Sequence, residues 1–262
     1  MSSTTISTAP LTAEQISAYQ RDGFVIARGL LPREEVAALS AEAERVFARE
    51  DLKDSDNLRC RWSNHFETNE CRFDCFDPVI DLSPLCERIA RDPRIVDAVS
   101  ALYGEPACLF KDKLIFKPPG AKGYDLHQDY ISWKSFPRSF VTTIVTIDGA
   151  GMDNGATEVF AGYHTRGCMT PEDGQYHKLS ADAVDASKGV VMELQPGDVA
   201  IFSGFTPHRS GPNRSQQWRR LLYLSYNAAS DGGEQRDRHY AEFKGWLKER
   251  YAEYGKVNTF FR

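Results

Sequence analysis

From about Cys108 to Tyr226 the chain alternates short β-rich runs with breaks of Gly, Pro and Asn. Val199-Ala200-Ile201-Phe202 follows the turn pair Gly197-Asp198, and Arg219-Arg220-Leu221-Leu222-Tyr223-Leu224-Ser225-Tyr226 follows Ser210-Gly211-Pro212-Asn213. Runs of that length between such breaks predict strands. Many short strands predict a mainly β (α+β) jelly roll, whose mouth commonly holds a site. The period changes on either side. Thr12-x-x-Gln15 predicts a capping box opening a helix to about Arg21, and Phe24-Val25-Ile26 predicts a strand. Pro32 to about Ala48 predicts an acidic-first helix with Leu39, Ala43, Val46 and Phe47 on a buried stripe. Near the C-terminus Tyr240, Phe243, Leu247, Tyr251 and Tyr254 recur at spacings of three and four, and the pattern stops at Gly255. That predicts an amphipathic helix over 236–255, packed on the barrel or on a subunit partner, which leaves a homodimer open. The expectation is one domain over 1–262, with residues 1–10 flexible, a jelly-roll core over 108–227 carrying the site, and N- and C-terminal helices buttressing it.

Charge narrows the partners. A net charge of −5 gives no basic field to hold nucleic acid or an anionic membrane surface. The first ten residues lack the charged n-region and apolar core of a signal peptide, and no run approaches a membrane span. The six cysteines show no Cys-x-x-Cys spacing, so they are expected as reduced thiols in a cytoplasmic protein. Cys71-x-x-x-Cys75 near His65 lacks a fourth ligand and is set aside as a zinc site.

The candidate chemistry lies in Tyr124-Asp125-Leu126-His127-Gln128-Asp129-Tyr130, which holds a histidine two residues from a carboxylate, and in Pro207-His208-Arg209-Ser210, with Arg219 eleven residues beyond His208. Two imidazoles and one carboxylate on one face of a metal leave three positions open, the pattern for non-haem Fe(II) that also holds a co-substrate and O2. With six histidines and 37 acidic residues, roughly one His-x-Asp/Glu is expected by chance, and there are two. His65-Phe66-Glu67 sits in a polar run without strand alternation and is taken as the decoy. Around His127 a strand period of two puts His127 and Asp129 on one face and Gln128 on the other. The same period puts Arg219 on the face of Leu221 and Tyr223, away from Arg220, and the expectation is that Arg219 and His208 stand on neighbouring strands.

Together, His127-Gln128-Asp129, His208-x-Ser210-Gly211-x-Asn213-x-Ser215 and Arg219 resemble the phytanoyl-CoA dioxygenase (PhyH) family of Fe(II)/2-oxoglutarate-dependent oxygenases. The likeness spans about residues 10–227. It includes Asp22-Gly23-Phe24-Val25-Ile26, Lys117-Pro118-Pro119-Gly120, and the segment Asp153 to His164, where Ala161 replaces the family's usual proline. The resemblance implies a double-stranded β-helix (cupin-like jelly roll) with iron held by His127, Asp129 and His208. It also implies 2-oxoglutarate paired through its distal carboxylate to Arg219, with Ser210 adding a hydroxyl and Lys113 a further contact to 2-oxoglutarate or to an anionic substrate group. Fe(II), 2-oxoglutarate and O2 would hydroxylate an unactivated C–H bond, releasing succinate and CO2. Because the carboxylate Asp129 is present, hydroxylation is preferred over halogenation, while desaturation or epimerisation would use the same ligands.

The substrate is the least legible part. Residues 57–77 hold Arg59, Arg61, Trp62, Asn64, His65 and Arg72, and residues 164–190 form a polar excursion without a basic cluster. An acyl-CoA or lipid hydroxylase of the same family would need several positive charges for the CoA phosphates. A small polar or anionic substrate is therefore expected: an amino acid, a phosphonate or a natural-product intermediate. A metal-dependent hydrolase or isomerase on the same barrel would have no use for Arg219, and a catalytically silent binding protein would be expected to lose a ligand.

Overall fold

The computed structural model describes residues 10–53, 58–133 and 135–255; the flexibility expected of residues 1–10 falls, Pro10 apart, outside them. The capping box forms as a reciprocal pair. Gln15 N donates to Thr12 Oγ1 at 3.2 Å and Thr12 N donates to Gln15 Oε1 at 2.8 Å, which opens α1 (Ala13–Asp22). Gly23, at φ 82°, closes that helix in the left-handed region that glycine enters at little cost. The chain then enters β1 (Phe24–Ala27) and α2 (Arg33–Phe47), which buries Val36, Leu39, Ala43 and Val46.

Strands β2 (Cys60–Asn64), β3 (Cys71–Phe76), β4 (Ala107–Lys117), β5 (Tyr124–His127), β6 (Val141–Thr146), β7 (Thr157–Phe160), β8 (Gly189–Val191), β9 (Val199–Ser203), β10 (His208–Ser210) and β11 (Arg219–Ala228) complete two antiparallel sheets. The large sheet runs β1-β9-β6-β11-β4-β3-β2 and the small one β5-β10-β7-β8. Period-two alternation gives the large sheet two apolar faces. Leu114, Phe116, Val145, Ile201, Leu222 and Leu224 pack outward against α2, α3 (Pro84–Ala90) and α4 (Pro93–Tyr103). Ile115, Ile144, Ala200, Phe202, Leu221 and Tyr223 pack inward against Ala156, Val159 and Met192 of the small-sheet side. Each such buried side chain contributes roughly 1.5–3 kcal/mol, enough to fix the register on which the inner face depends.

That register sets the site. On the inner face Arg219 pairs with Lys117, Leu221 with Ile115, Tyr223 with Lys113 and Ser225 with Lys111. Two expectations are corrected here. The large sheet recruits β1, β2 and β3, from outside the 108–227 segment. His208 and Arg219 do not stand on neighbouring strands: β10 pairs β5 and β7 in the small sheet, whereas β11 pairs β4 and β6 in the large one. The segment between them crosses from one sheet to the other, so the two residues belong to opposite sheets of the sandwich. At the C-terminal end α5 (Arg236–Tyr254) buries Tyr240, Phe243 and Leu247 and also His239 and Arg250. It packs on the barrel through Tyr240, whose hydroxyl donates to the Asp112 carbonyl at 2.6 Å.

Candidate active site

His127 closes β5 and pairs across the small sheet with His208 at the head of β10, so the two imidazoles lie side by side with ring centroids 4.2 Å apart. Asp129 lies beyond the end of β5, not on it as the alternation suggested. It is fixed by Thr142 of β6, whose Oγ1 donates to Asp129 Oδ2 at 2.5 Å. The other oxygen, Oδ1, stands 3.7 Å from His127 Nε2 and 3.6 Å from His208 Nε2. Among the described residues this is the one cluster of His, Cys, Asp and Glu whose ligand atoms fall within 4.8 Å of one another. Between His127 and Asp129, Gln128 points the other way and clamps the chain. Its Nε2 donates to the Phe205 carbonyl at 2.6 Å and its Oε1 accepts from Met169 N at 2.7 Å.

The donor set suits a divalent cation. His127 Nδ1 lies 2.6 Å from the Asp125 carbonyl and His208 Nδ1 3.0 Å from that of Thr206, so each Nδ1–H donates and each Nε2 lone pair is left for a metal. Burial and the neighbouring His127 ring push His208 down to about 4, which keeps it neutral at working pH. Burial alone would raise Asp129, but the adjacent imidazoles and Lys113 outweigh it and hold the carboxylate ionised. A neutral His208 imidazole beside an ionised Asp129 carboxylate has the protonation states that ligation requires.

A cavity of about 400 Å³ opens on these ligands and is also lined by Lys113, Ser210, Tyr223 and Tyr124. Lys113 lies with its ammonium 4.9 Å from the Tyr223 ring centroid and makes no hydrogen bond or ion pair with a described residue. Ser210 Oγ accepts from Tyr124 N at 3.2 Å and from Lys117 Nζ at 3.2 Å. Arg219, 1% exposed, sits behind this wall rather than on it. Its Nη1 donates to the Gly155 carbonyl and its Nε has no hydrogen-bond partner. The decoy is structural: His65 Nδ1 accepts from Glu67 N and Thr68 N, both at 3.1 Å, and organises a turn.

Lys117 is the residue whose importance the sequence did not disclose. Its Nζ donates to Ser210 Oγ and to the Gly155 and Gly211 carbonyls, beside its register partner Arg219. Burial, then the Arg219 charge, push it down to about 6. An anion here would restore the lysine's charge and give Arg219 Nε a partner, so the pocket fits a carboxylate. The available clue was parity, since Lys117 lies four residues from Lys113 on the same strand and must share its face. Thr142 and Asp74 were missed as well; buried Asp74, which accepts from the Tyr124 hydroxyl, is pushed up by its burial.

The family model described as phytanoyl-CoA dioxygenase (PhyH) matches residues 19–221. The chain is 31% identical to the methylphosphonate hydroxylase of Gimesia maris, covering 88% of this chain and 86% of that one. It is 29% identical to a 2-aminoethylphosphonate dioxygenase from an uncultured bacterium, covering 86% and 85%. Among solved structures, EctD from S. alaskensis with 2-oxoglutarate and 5-hydroxyectoine superposes with a TM-score of 0.68 at 23% identity, over 88% of this chain and 82% of that one, a likeness of fold.

Proposed function

Because the chain belongs to the phytanoyl-CoA dioxygenase family and is an iron- and 2-oxoglutarate-dependent dioxygenase, we propose that His127, Asp129 and His208 hold its iron and that Arg219, with Ser210 and Lys117, takes the distal carboxylate of 2-oxoglutarate. The substrate is a small polar or anionic molecule hydroxylated at a C–H bond. The observation that carries this is the convergence of three ligand atoms within 4.8 Å on a cavity lined by Lys113 and Ser210, with Lys117 and Arg219 buried behind its wall.

When bound, iron would supply the chemistry by which O2 oxidatively decarboxylates 2-oxoglutarate to succinate and CO2, one oxygen atom going to succinate and the other to the substrate carbon. The residues of this chain supply geometry. The Asp125 and Thr206 carbonyls hold both imidazoles with Nε2 forward, and Thr142 turns Asp129 so that Oδ1 faces them. Arg219 offers a planar fork of donors that matches a carboxylate. Ser210 links the two ends, since it is two residues from His208 and hydrogen-bonded to Lys117. Phe136 and Phe140 add apolar surface to the cavity wall.

The small size of the cavity and the phosphonate names of the relatives support a compact anionic substrate over an acyl-CoA. A cytoplasmic location suits the six free cysteines, and no helix among the described residues is long and apolar enough to cross a membrane. The direct test is succinate release from 2-oxoglutarate with small phosphonates, amino acids and acyl-CoAs offered in parallel. Turnover with acyl-CoA alone would overturn the substrate class, and no coupled turnover in His127→Ala is expected.

A further inference from the structure

A β-bulge turns a carboxylate into the cavity that holds the metal ligands. Along the β2–β3 ladder Arg61 pairs with Cys75 but Trp62 with Phe73, so Asp74 is the extra residue of β3. Phe73 and Phe76 both pack outward with the helices, whereas the consecutive residues Asp74 and Cys75 both line the cavity. A regular strand would have sent one of those two outward. Asp74 is 5% exposed, and its Oδ2 accepts from the hydroxyl of Tyr124, itself a cavity residue. Its Oδ1 accepts no hydrogen bond from a described residue and is not sealed from solvent, so it opens on the cavity.

The other carboxylates of the cavity are taken. Asp129 faces the two imidazoles, Asp77 holds Lys111 at 3.1 Å, and Asp125 holds Lys178 at 2.7 Å. Asp74 has no such cation. Lys117, Lys113 and Arg219 are the charges that act on it, yet none forms an ion pair with it. Lys117 donates to Ser210 Oγ and to two carbonyls, and Arg219 Nη1 to the Gly155 carbonyl. Lys113 shares the cavity with Asp74 and is unpaired as well, its ammonium 4.9 Å from the Tyr223 ring centroid. The cavity thus presents one free carboxylate oxygen and one free ammonium that do not satisfy each other. A ligand with only an acid group answers Lys113 and leaves Oδ1 without a donor once water is displaced, which is costly. A ligand that also carries an ammonium answers both with charge-assisted hydrogen bonds.

We propose that Asp74 selects the substrate by accepting from a primary ammonium group, while Lys113 takes an acid group of the same molecule, a small amino acid or aminophosphonic acid. Tyr124 is the positioning residue that holds Asp74. The proposal rests on the oxygenase reading for its metal and co-substrate, and its test separates the two. The probes are two pairs that differ only in the amine, β-alanine with propionate and 2-aminoethylphosphonate with ethylphosphonate. Each is titrated calorimetrically into the anaerobic Fe(II)·2-oxoglutarate protein and into metal-free protein. In wild type the amine should tighten binding at least about tenfold in one pair or both, the gain of one charge-assisted contact, and the responding pair identifies the acid. Asp74→Asn keeps an acceptor for Tyr124 and should reduce that preference to less than about twofold. Tyr124→Phe, which leaves the carboxylate in place, is the independent check and should reduce it about threefold. Lys113→Met should weaken both members of a pair alike and leave the preference unchanged. In each variant 2-oxoglutarate affinity should stay within about threefold of wild type. Equal binding within both pairs, or a wild-type preference surviving in Asp74→Asn, would overturn the proposal. So would an equal loss of 2-oxoglutarate affinity in Asp74→Asn, which would assign the carboxylate to the co-substrate pocket. If Fe(II) and 2-oxoglutarate fail to bind wild type at all, the oxygenase reading falls, and the same pairs in metal-free protein still decide the subsite.

Discussion

Binding of 2-oxoglutarate should draw a proton from solution, because of Lys117. Burial and the Arg219 charge push this amine from 10.5 to about 6, so at pH 8 about 1% of it is charged before the co-substrate arrives. A carboxylate about 3 Å from Nζ contributes on the order of 5 kcal/mol at an effective dielectric near 20, or roughly four pH decades. That returns the lysine to the charged side of pH 8. Uptake should therefore approach one proton per 2-oxoglutarate at pH 8 and fall to about one half near pH 6. The assay is calorimetric titration of iron-loaded, anaerobic protein in buffers of different ionisation enthalpy, whose slope counts protons. Lys117→Met should abolish the uptake and weaken 2-oxoglutarate about 10–100-fold. The stability sign follows from the same displacement. Between about 6 and 10.5 the unfolded chain binds more protons than the native one, so the protein without co-substrate gains stability as pH rises through that window, and the methionine variant loses this dependence. Wild type showing no uptake at pH 8, or the methionine variant showing the same uptake, would refute the reasoning.

Arg219→Ala should raise the 2-oxoglutarate concentration for half-saturation by about 30–1000-fold, since a bidentate charged contact is lost, while Fe(II) binding stays within about twofold; equilibrium titration of each ligand checks this. Thr142→Val removes the hydroxyl that donates to Asp129 Oδ2 and should weaken Fe(II) about tenfold, read by competition with a chelator. Leu222→Ala, at a site with 0% exposure on the outer face of β11, should cost about 2–5 kcal/mol in urea unfolding without altering 2-oxoglutarate affinity, because its face turns away from the cavity.

Periodicity and turn residues made the strand content and both terminal helices legible, because each is a local pattern with a fixed repeat. The Thr12/Gln15 box and the Leu39, Ala43, Val46 stripe formed as their spacing required. What the sequence could not disclose was which sheet each strand joins. β10 and β11 are joined by a short turn-rich segment that reads like a hairpin, yet they lie in opposite sheets, because the inner apolar faces must close over Leu221, Tyr223 and Val159. Lys117 was hidden for the same reason. A lysine before Pro-Pro-Gly reads as a solvated strand end, and only the fold brings Gly155, Ser210 and Gly211 around it. Asp129 was found by its spacing from His127, but its support comes from Thr142 across the sandwich, which no local pattern encodes.

The central claim, that His127, Asp129 and His208 hold iron with room beside it for a chelating keto acid, is tested most directly by anaerobic titration of the Fe(II) protein with 2-oxoglutarate. Wild type should develop the weak visible charge-transfer band of bidentate keto-acid chelation, saturating at one equivalent, and His208→Ala should not. Iron-loaded wild type that binds 2-oxoglutarate without the band, or a His208→Ala variant that keeps it, would contradict the account.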